Sequence, residues 1–251
     1  MPKLIILGSA NAVPAENHEN THMILVGKER RLLIDCASNQ ILRLERAGVD
    51  PNTLTDLILT HFHPDHVSGV PLLLMDTWLM GRRQPLNVYG LDHTIDRTQR
   101  VMAAYAWENW PNFFPVIFER LPEEERTILS DCEEWRVLSS PVCHLIPTIG
   151  LRIEFPHSGK ILAYSSDTEP CQQVVALAKN ADVLIHECTG ASPGHSSASQ
   201  AGEIAAQAGA KSLLLIHYNA RSIDPEYLTL EARKTFGGEV NLARDFMEIQ
   251  F

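Results

Sequence analysis

The sequence predicts an α/β fold in which β-sheets are covered by helices on both faces. Three short apolar runs open the chain, separated by glycine and charged turns, and they predict an antiparallel meander; they lie at residues 4–7, 22–26 and 31–34. After them the pattern alternates between helix and strand: helix 40–47, strand 56–59, helix 67–80 and strand 86–89. This order indicates helices on either side of a sheet.

The second half of the chain repeats this alternation. The expected strands lie near Val137 and at residues 142–145, 151–155 and 161–164. The later elements are helix 170–178, strand 183–185, helix 196–208, strand 213–216 and a helix starting near Pro225. Because no linker or repeat interrupts the 251 residues, we expect one domain over residues 1–251.

The charge and the cysteines exclude several classes of protein. With 21 Lys+Arg against 31 Asp+Glu, the net charge of -10 argues against broad binding of extended nucleic acid. The apolar run at residues 4–7 is too short for a signal-peptide core or a membrane span, so we expect a cytoplasmic protein. Five cysteines without CxxC spacing fit reduced thiols better than disulfides or a structural zinc site.

The segment at residues 60–66 carries three histidines and an aspartate directly after the apolar strand 56–59. His61 and His63 are two residues apart and project to the same side if the strand continues. Pro64 then breaks the strand, so that Asp65 and His66 can turn toward a second position. The segment therefore predicts metal ligands, and two ions fit it better than one.

Three further candidate ligands each lie at or within a predicted strand end: His144, Asp167 and His217. Alone, each has an ordinary explanation as a hydrogen-bonded core residue or a helix cap. Together with residues 60–66 they form a set of nitrogen and oxygen donors that suits two divalent ions, most simply zinc, with manganese or iron as alternatives. Two such ions share a hydroxide that serves as a nucleophile, which predicts a hydrolase.

The order His61-x-His63-x-Asp65-His66 followed by His144, Asp167 and His217 resembles the ligand set of the metallo-β-lactamase fold superfamily over nearly the whole chain. The resemblance implies a four-layer αββα sandwich. It also implies that His61, His63 and His144 hold one metal, that Asp65, His66 and His217 hold the other, and that Asp167 bridges them.

Four local matches resemble the ribonuclease Z branch, which comprises transfer-RNA 3′-end endonucleases. They are residues 194–197 (Gly-His-Ser-Ser), residues 186–189 (His-Glu-Cys-Thr), the His217-x-x-x-Arg221 ending, and residues 7–10 with Pro14. In phosphodiester cleavage His195 would act as the acid and Glu187 would orient it. Asp65 would also orient the hydroxide, and Arg221 would hold a phosphate or cap a helix.

Two departures from this branch predict a small substrate. The branch usually inserts a long RNA-binding arm between the third metal motif and the bridging aspartate, whereas here only residues 145–166 lie between them. The opening loop is acidic and polar where those enzymes favour basic residues. We therefore expect an arm-less phosphodiesterase for a cyclic nucleotide or another short phosphodiester, with transfer-RNA processing as a lesser alternative.

Other functions stay open at the level of sequence. The same metals would permit hydrolysis of a lactone, thioester or β-lactam, and a third alternative is a mononuclear iron oxygenase of the same fold. A binding or scaffold role is a further alternative. The aromatic residues concentrated at positions 105–118 fit either a core or a dimer or lid surface, and with the apolar helix 67–80 they favour a homodimer.

Overall fold

The computed structural model describes residues 1–221 and 225–251 of the chain. Its fourteen strands form two seven-stranded sheets. The first sheet has the order β14-β1-β2-β3-β4-β5-β6, with β1 at Lys3–Gly8, β2 at His22–Val26, β3 at Arg31–Ile34, β4 at Asp56–Ile58, β5 at Leu86–Leu91, β6 at Val116–Leu121 and β14 at Glu248–Gln250.

The second sheet has the order β13-β12-β11-β10-β9-β8-β7. Its strands are β7 at Thr127–Asp131, β8 at Arg136–Val142, β9 at Thr148–Phe155, β10 at Lys160–Tyr164, β11 at Val183–Glu187, β12 at Ser212–Ile216 and β13 at Glu239–Leu242. The α-helices are α1 at Gln40–Arg46, α2 at Pro64–Val67, α3 at Val70–Leu79, α4 at Asp92–Ala104, α5 at Gln172–Leu177, α6 at Ala198–Ala208 and α7 at Pro225–Ala232.

Two sheets and the helices on their outer faces form four layers, and an apolar cluster fills each of the three spaces between them. The cluster between the sheets includes Leu25 of β2 and Ile153 of β9. A second cluster packs helices against the outer face of the first sheet, with Leu74 of α3 among its members. The third, which includes Ile204 of α6 and Leu228 of α7, does the same for the second sheet. The predicted αββα sandwich is confirmed.

The predicted meander and the later alternation of strands and helices match the structure closely, but one helix and one strand differ by more than their end residues. The helix expected at residues 67–80 is split into α2 and α3 by Ser68 and Gly69. The separate strand expected at residues 142–145 does not form, because β8 runs from Arg136 to Val142 and residues 143–147, which include His144, lie in a loop. Pro141 near the end of β8 removes one backbone donor, which favours an early end to the pairing.

Five elements were not predicted: α4, β6, β7, β13 and β14. In α4 two of the four buried positions are Thr94 and Thr98, so its apolar period is weak in the sequence. Strand β6 exposes Ile117 beside charged residues, and β13 and β14 are only three or four residues long. Short edge strands have little hydrophobic pattern from which to predict them.

The aromatic stretch mostly contributes to the core. The rings of Trp78 and Trp110 stack with centroids 5.1 Å apart, and Phe113 packs edge-on against Trp107 at 5.5 Å. Phe114 is buried, whereas Tyr105 is largely exposed. In the described part of the chain, no helix is both long enough and apolar enough to span a bilayer.

Gly69 allows α3 to start against the loop that follows β3. A Cβ atom at Gly69 would lie 2.4 Å from the Ser38 carbonyl oxygen and 2.9 Å from that of Cys36. We expect Gly69→Ala to lower the free energy of unfolding by about 1–3 kcal/mol because backbone must move to admit the methyl group. Denaturant unfolding measures this.

The matched control is Gly237→Ala, since a Cβ atom there meets open space. Its free energy of unfolding should stay within about 0.5 kcal/mol of the parent value. Equal stability of the two variants would contradict the close approach at Gly69.

Candidate metal centre

The candidate ligands come from loops at one edge of both sheets. His61 and His63 follow β4, and Asp65 and His66 lie on α2 directly behind them. In the second sheet, His144 follows β8, Asp167 follows β10 and His217 follows β12. Since β10, β11 and β12 run parallel, their carboxyl ends meet at the same edge. All seven predicted residues are brought together.

The first group of donors consists of three imidazole nitrogens. His63 Nδ1 lies 3.1 Å from His61 Nε2 and 3.1 Å from His144 Nε2. Nitrogen ligands around a tetrahedral zinc ion are about 3.3 Å apart, given zinc–nitrogen distances near 2.0–2.1 Å. The spacing of the three nitrogens therefore fits one metal ion.

The second group joins two carboxylates and two imidazoles. His66 Nε2 lies 3.5 Å from Oδ2 of both Asp65 and Asp167. His217 Nε2 lies 3.4 Å from Asp65 Oδ2 and 3.5 Å from Asp167 Oδ2. Asp167 Oδ2 is also 3.8 Å from His61 Nε2, so this oxygen stands between the two groups, as a bridging ligand would.

Two buried atoms of this set have no hydrogen-bond partner, namely His66 Nε2 and Asp167 Oδ1. Buried polar atoms without a partner are costly, and a bound cation would satisfy both. The donor set, its spacing and these two atoms fit a metal centre.

The electrostatics of the site favour a cation. Burial opposes ionisation of Asp65, but the imidazoles of His217 and His66 outweigh it and lower the pKa of this carboxyl. Burial also opposes protonation of His66, yet the carboxylates of Asp167 and Asp35 raise its pKa well above the usual value. Burial lowers the pKa of His61, which keeps that ring neutral and able to bind metal.

Hydrogen bonds on the opposite ring nitrogens orient the histidines. His144 Nδ1 donates to the Gly194 carbonyl oxygen at 2.6 Å, and His66 Nδ1 donates to Asp35 Oδ2 at 2.8 Å. Each bond leaves Nε2 facing the metal groups. Gly194 has φ +81, and a Cβ atom there would lie 2.9 Å from His144 Nδ1, so this close approach requires glycine.

Asp35 is a site residue that the sequence analysis missed. It is fully buried, and besides His66 it accepts hydrogen bonds from the backbone N–H of Thr60 at 2.8 Å and from Thr60 Oγ1 at 3.0 Å. Thr60 Oγ1 in turn lies 3.0 Å from His61 Nδ1. The signal was present, because Asp35 directly follows an apolar strand, as the predicted ligands do.

His195 and Glu187 form a pair beside the metal groups, as the sequence suggested. His195 Nδ1 donates to Glu187 Oε1 at 2.9 Å, and this bond raises the pKa of His195. The His195 ring lies 5.0 Å from that of His144 and 5.9 Å from that of His217, measured between centroids. Its side chain keeps 19% of its surface exposed, so it faces the opening of the site.

Glu187 is fully buried and accepts several hydrogen bonds. Besides His195, Oε1 accepts from the backbone N–H groups of Thr168 and Ser196, and Oε2 accepts from that of Thr189. Ser197 caps α6 through a capping box with Gln200, directly after the His195 that Glu187 holds.

Arg221 lies at the opening loop. Its Nε donates to the Pro14 carbonyl oxygen at 2.7 Å, and its own backbone N–H donates to Asn219 Oδ1. The backbone N–H of Asn11 in the opening loop also donates a hydrogen bond to the Tyr218 carbonyl oxygen at 3.0 Å. Arg221 therefore holds the opening loop to the segment after His217.

A family model described as "Anti-Pycsar protein Apyc1" matches residues 2–235. The chain belongs to the Apyc1 family. Among curated proteins, this Apyc1-family chain is 26% identical to Ribonuclease Z of Methanothermobacter thermautotrophicus, covering 100% of the chain and 97% of the relative. It is 28% identical to Ribonuclease Z of Bacillus licheniformis, covering 98% of each.

Solved structures place the Apyc1-family chain in the metallo-β-lactamase fold, as predicted. The metallo-β-lactamase fold protein YhfI from Bacillus subtilis superposes with a TM-score of 0.84 at 25% identity, covering 99% of this chain and 98% of its own. The short form of human tRNase Z superposes with a TM-score of 0.79 at 25% identity, covering 99% and 98%.

Substituting Asp35 tests its support of the metal centre. In Asp35→Asn the amide loses the charge that holds the Nδ1 proton of His66, so we expect metal affinity to fall about ten- to a hundredfold. Competition with a chromophoric chelator measures the affinity.

Asp56→Asn is the control for this substitution. Asp56 is also buried and on the first sheet, but its partner is Arg30, with Nη2 2.6 Å from Oδ1. This variant should lose stability and keep its metal affinity. Equal losses of affinity in both variants would show that Asp35 has no specific role.

Proposed function

We propose that this Apyc1-family protein is a dinuclear metal-dependent phosphodiesterase that cleaves a small phosphodiester, such as a cyclic nucleotide. The observation that carries the proposal is the hydrogen-bonded pair of His195 and Glu187, which places a proton donor beside two groups of metal ligands. Acyl hydrolysis uses the same metals but does not require this acid. The fold and the Ribonuclease Z relatives support a metal-dependent hydrolase.

The donor atoms suit two divalent ions, most simply zinc. His61, His63 and His144 would hold one ion; Asp65, His66 and His217 would hold the other, and Asp167 would bridge them. All of these donors are nitrogen or oxygen, so manganese and iron are alternatives. When bound, such ions activate water at neutral pH and offset the negative charge of the phosphate.

The protein's own groups would then complete the reaction. Asp65 is partly buried and ionised, so beyond binding metal it can accept a hydrogen bond from the attacking water and orient it. Protonated His195 would donate its proton to the leaving oxygen. Glu187 keeps His195 in place and protonated through the 2.9 Å bond to Nδ1, which leaves Nε2 as the donor to substrate.

A small substrate is favoured by what lies between His144 and Asp167. This segment forms only β9, a turn and β10, which belong to the second sheet, so residues 145–166 form no protruding arm. The alignment to the Methanothermobacter relative extends over 306 positions against 251 residues here, so that relative has segments which this chain lacks. The net charge of -10 also disfavours an extended, negatively charged nucleic acid as the substrate.

Transfer-RNA 3′-end cleavage is the alternative that the Ribonuclease Z relatives favour. We also propose that Arg221 contacts the substrate phosphate while its Nε donates to the Pro14 carbonyl oxygen. We further propose a single catalytic domain over residues 1–251, a cytoplasmic location and a homodimer. The exposed Tyr105, Leu79 and Met80 support the dimer.

A substrate panel on metal-depleted and reloaded protein tests the reaction class. We expect zinc or manganese to restore cleavage of bis(p-nitrophenyl) phosphate and of a 3′,5′-cyclic nucleotide, measured by absorbance and by chromatography. Asp65→Asn should lose activity under every condition. Turnover of lactone or thioester substrates alone would favour acyl hydrolysis, and cleavage of precursor transfer RNA alone would favour the endonuclease.

The acid role of His195 predicts a dependence on the leaving group. An alkoxide leaving group needs a proton, so His195→Gln should slow cyclic-nucleotide cleavage by about 10²–10⁴-fold. p-Nitrophenolate leaves without one, so cleavage of bis(p-nitrophenyl) phosphate should fall by less than about tenfold. Bound metal, measured by elemental analysis, should be unchanged.

His157→Gln serves as the control because His157 is exposed in the turn after β9, outside both metal groups. It should cleave both substrates at the parent rate. Equal losses on the two substrates in His195→Gln would assign His195 to binding rather than to proton donation.

A further inference from the structure

The Thr189 hydroxyl contacts both the ring and the backbone of His217. Thr189 Oγ1 lies 2.8 Å from His217 Nδ1 and 2.7 Å from the His217 carbonyl oxygen. Thr189 lies two residues beyond the end of β11, beside the loop that carries His217 after β12. None of the roles assigned above uses this hydroxyl.

Counting protons fixes the direction of both hydrogen bonds. A carbonyl oxygen only accepts, so the single hydroxyl proton of Thr189 goes to the His217 carbonyl. The remaining contact then requires Nδ1 of His217 to donate to Oγ1. Nδ1 therefore carries a proton, and Nε2 is the nitrogen left to bind a metal ion.

The carboxylates of the site favour a proton on Nε2 of the His217 ring instead of on Nδ1. Nε2 of His217 faces Oδ2 of Asp65 at 3.4 Å and Oδ2 of Asp167 at 3.5 Å. Without an acceptor at Nδ1, these two oxygens would draw the proton of a neutral ring to Nε2. A proton there blocks the metal-binding position, and Oγ1 of Thr189 opposes this.

The same hydroxyl supports an unusual backbone conformation. His217 has φ +55, in the left-handed region that costs free energy for a residue other than glycine. Its backbone N–H donates to the Ser9 carbonyl oxygen at 2.9 Å, and its carbonyl accepts from Thr189. Both peptide groups beside the strained residue are therefore held.

Thr189 is itself positioned by the carboxylate that holds His195. Its backbone N–H donates to Glu187 Oε2 at 2.8 Å, while Glu187 Oε1 accepts from His195 Nδ1. One buried carboxylate thus places His195 directly and His217 through Thr189.

We propose that Thr189 is a positioning residue that sets the tautomer and the backbone of His217, and thereby the affinity of the metal site to which His217 belongs. The inference rests on the metal centre of the proposed function. It does not depend on which substrate is cleaved.

The test compares Thr189→Val, which removes the hydroxyl and keeps the shape, with Thr189→Ser, which restores the hydroxyl. Long-range ¹H–¹⁵N spectra of metal-free, histidine-labelled protein report which ring nitrogen is protonated. We expect a proton on Nδ1 of His217 in the parent and in the serine variant, and the Nε2–H tautomer in Thr189→Val.

Zinc titration against a competing chelator provides the second measurement. Thr189→Val should lower the affinity for one of the two zinc ions about ten- to a hundredfold. In Thr189→Ser both zinc affinities should stay within about threefold of the parent values. Thr77→Val is the control, since Thr77 is also buried but its hydroxyl donates to the Leu73 carbonyl oxygen in α3. It should leave both zinc affinities unchanged.

Each outcome decides the inference. A parent protein with Nδ1 of His217 unprotonated would overturn it without any variant, and so would an unaltered tautomer and zinc affinity in Thr189→Val. A protein that binds zinc as expected but cleaves no phosphodiester would refute the proposed substrate and leave the role of Thr189 standing.

Discussion

The structure depends on burying several carboxylates in one small volume where, among the described residues, histidine and threonine rather than lysine or arginine contact them. Asp35 and Asp167 are almost fully buried, and Asp65 lies beside them. Buried carboxylates remain ionised only where positive charge or hydrogen bonds surround them. Here imidazoles supply the hydrogen bonds, and a cation bound between them would supply further positive charge. The loops from both sheets therefore meet around a position that favours metal.

The hydrogen bonds behind the ligands come from segments far apart in the chain. Asp35 orients His66 from the end of β3, Gly194 orients His144 from the loop before α6, and Thr189 contacts His217 from the end of β11. Each bond joins a ligand loop to a neighbouring loop at the same edge of the sandwich. Because ring direction decides which nitrogen faces the metal, the fold sets the site by these contacts as much as by the ligands.

The sequence identified the candidate ligands that the fold brings together, but it missed Asp35 and Thr189, which contact them, for a physical reason. Residues 60–66 concentrate chemistry in one short segment, and His144, Asp167 and His217 each follow an apolar run. Asp35 and Thr189 are single polar residues of common type, and only their neighbours in space give them a role. The same limit explains α4, whose buried threonines weaken its apolar period, whereas the largely apolar core strands β2, β3 and β12 were predicted to within one residue.

Glu187 connects the two chemical tasks of the proposed site. Its Oε1 holds His195, the proton donor, and its Oε2 holds Thr189, which contacts the ligand His217. A substitution at Glu187 therefore disturbs proton donation and metal binding together, so its effect cannot equal the loss of the acid alone. Substitutions within such a connected network are not additive. The roles of His195 and His217 are therefore separated by substitutions at His195 and at Thr189 rather than at Glu187.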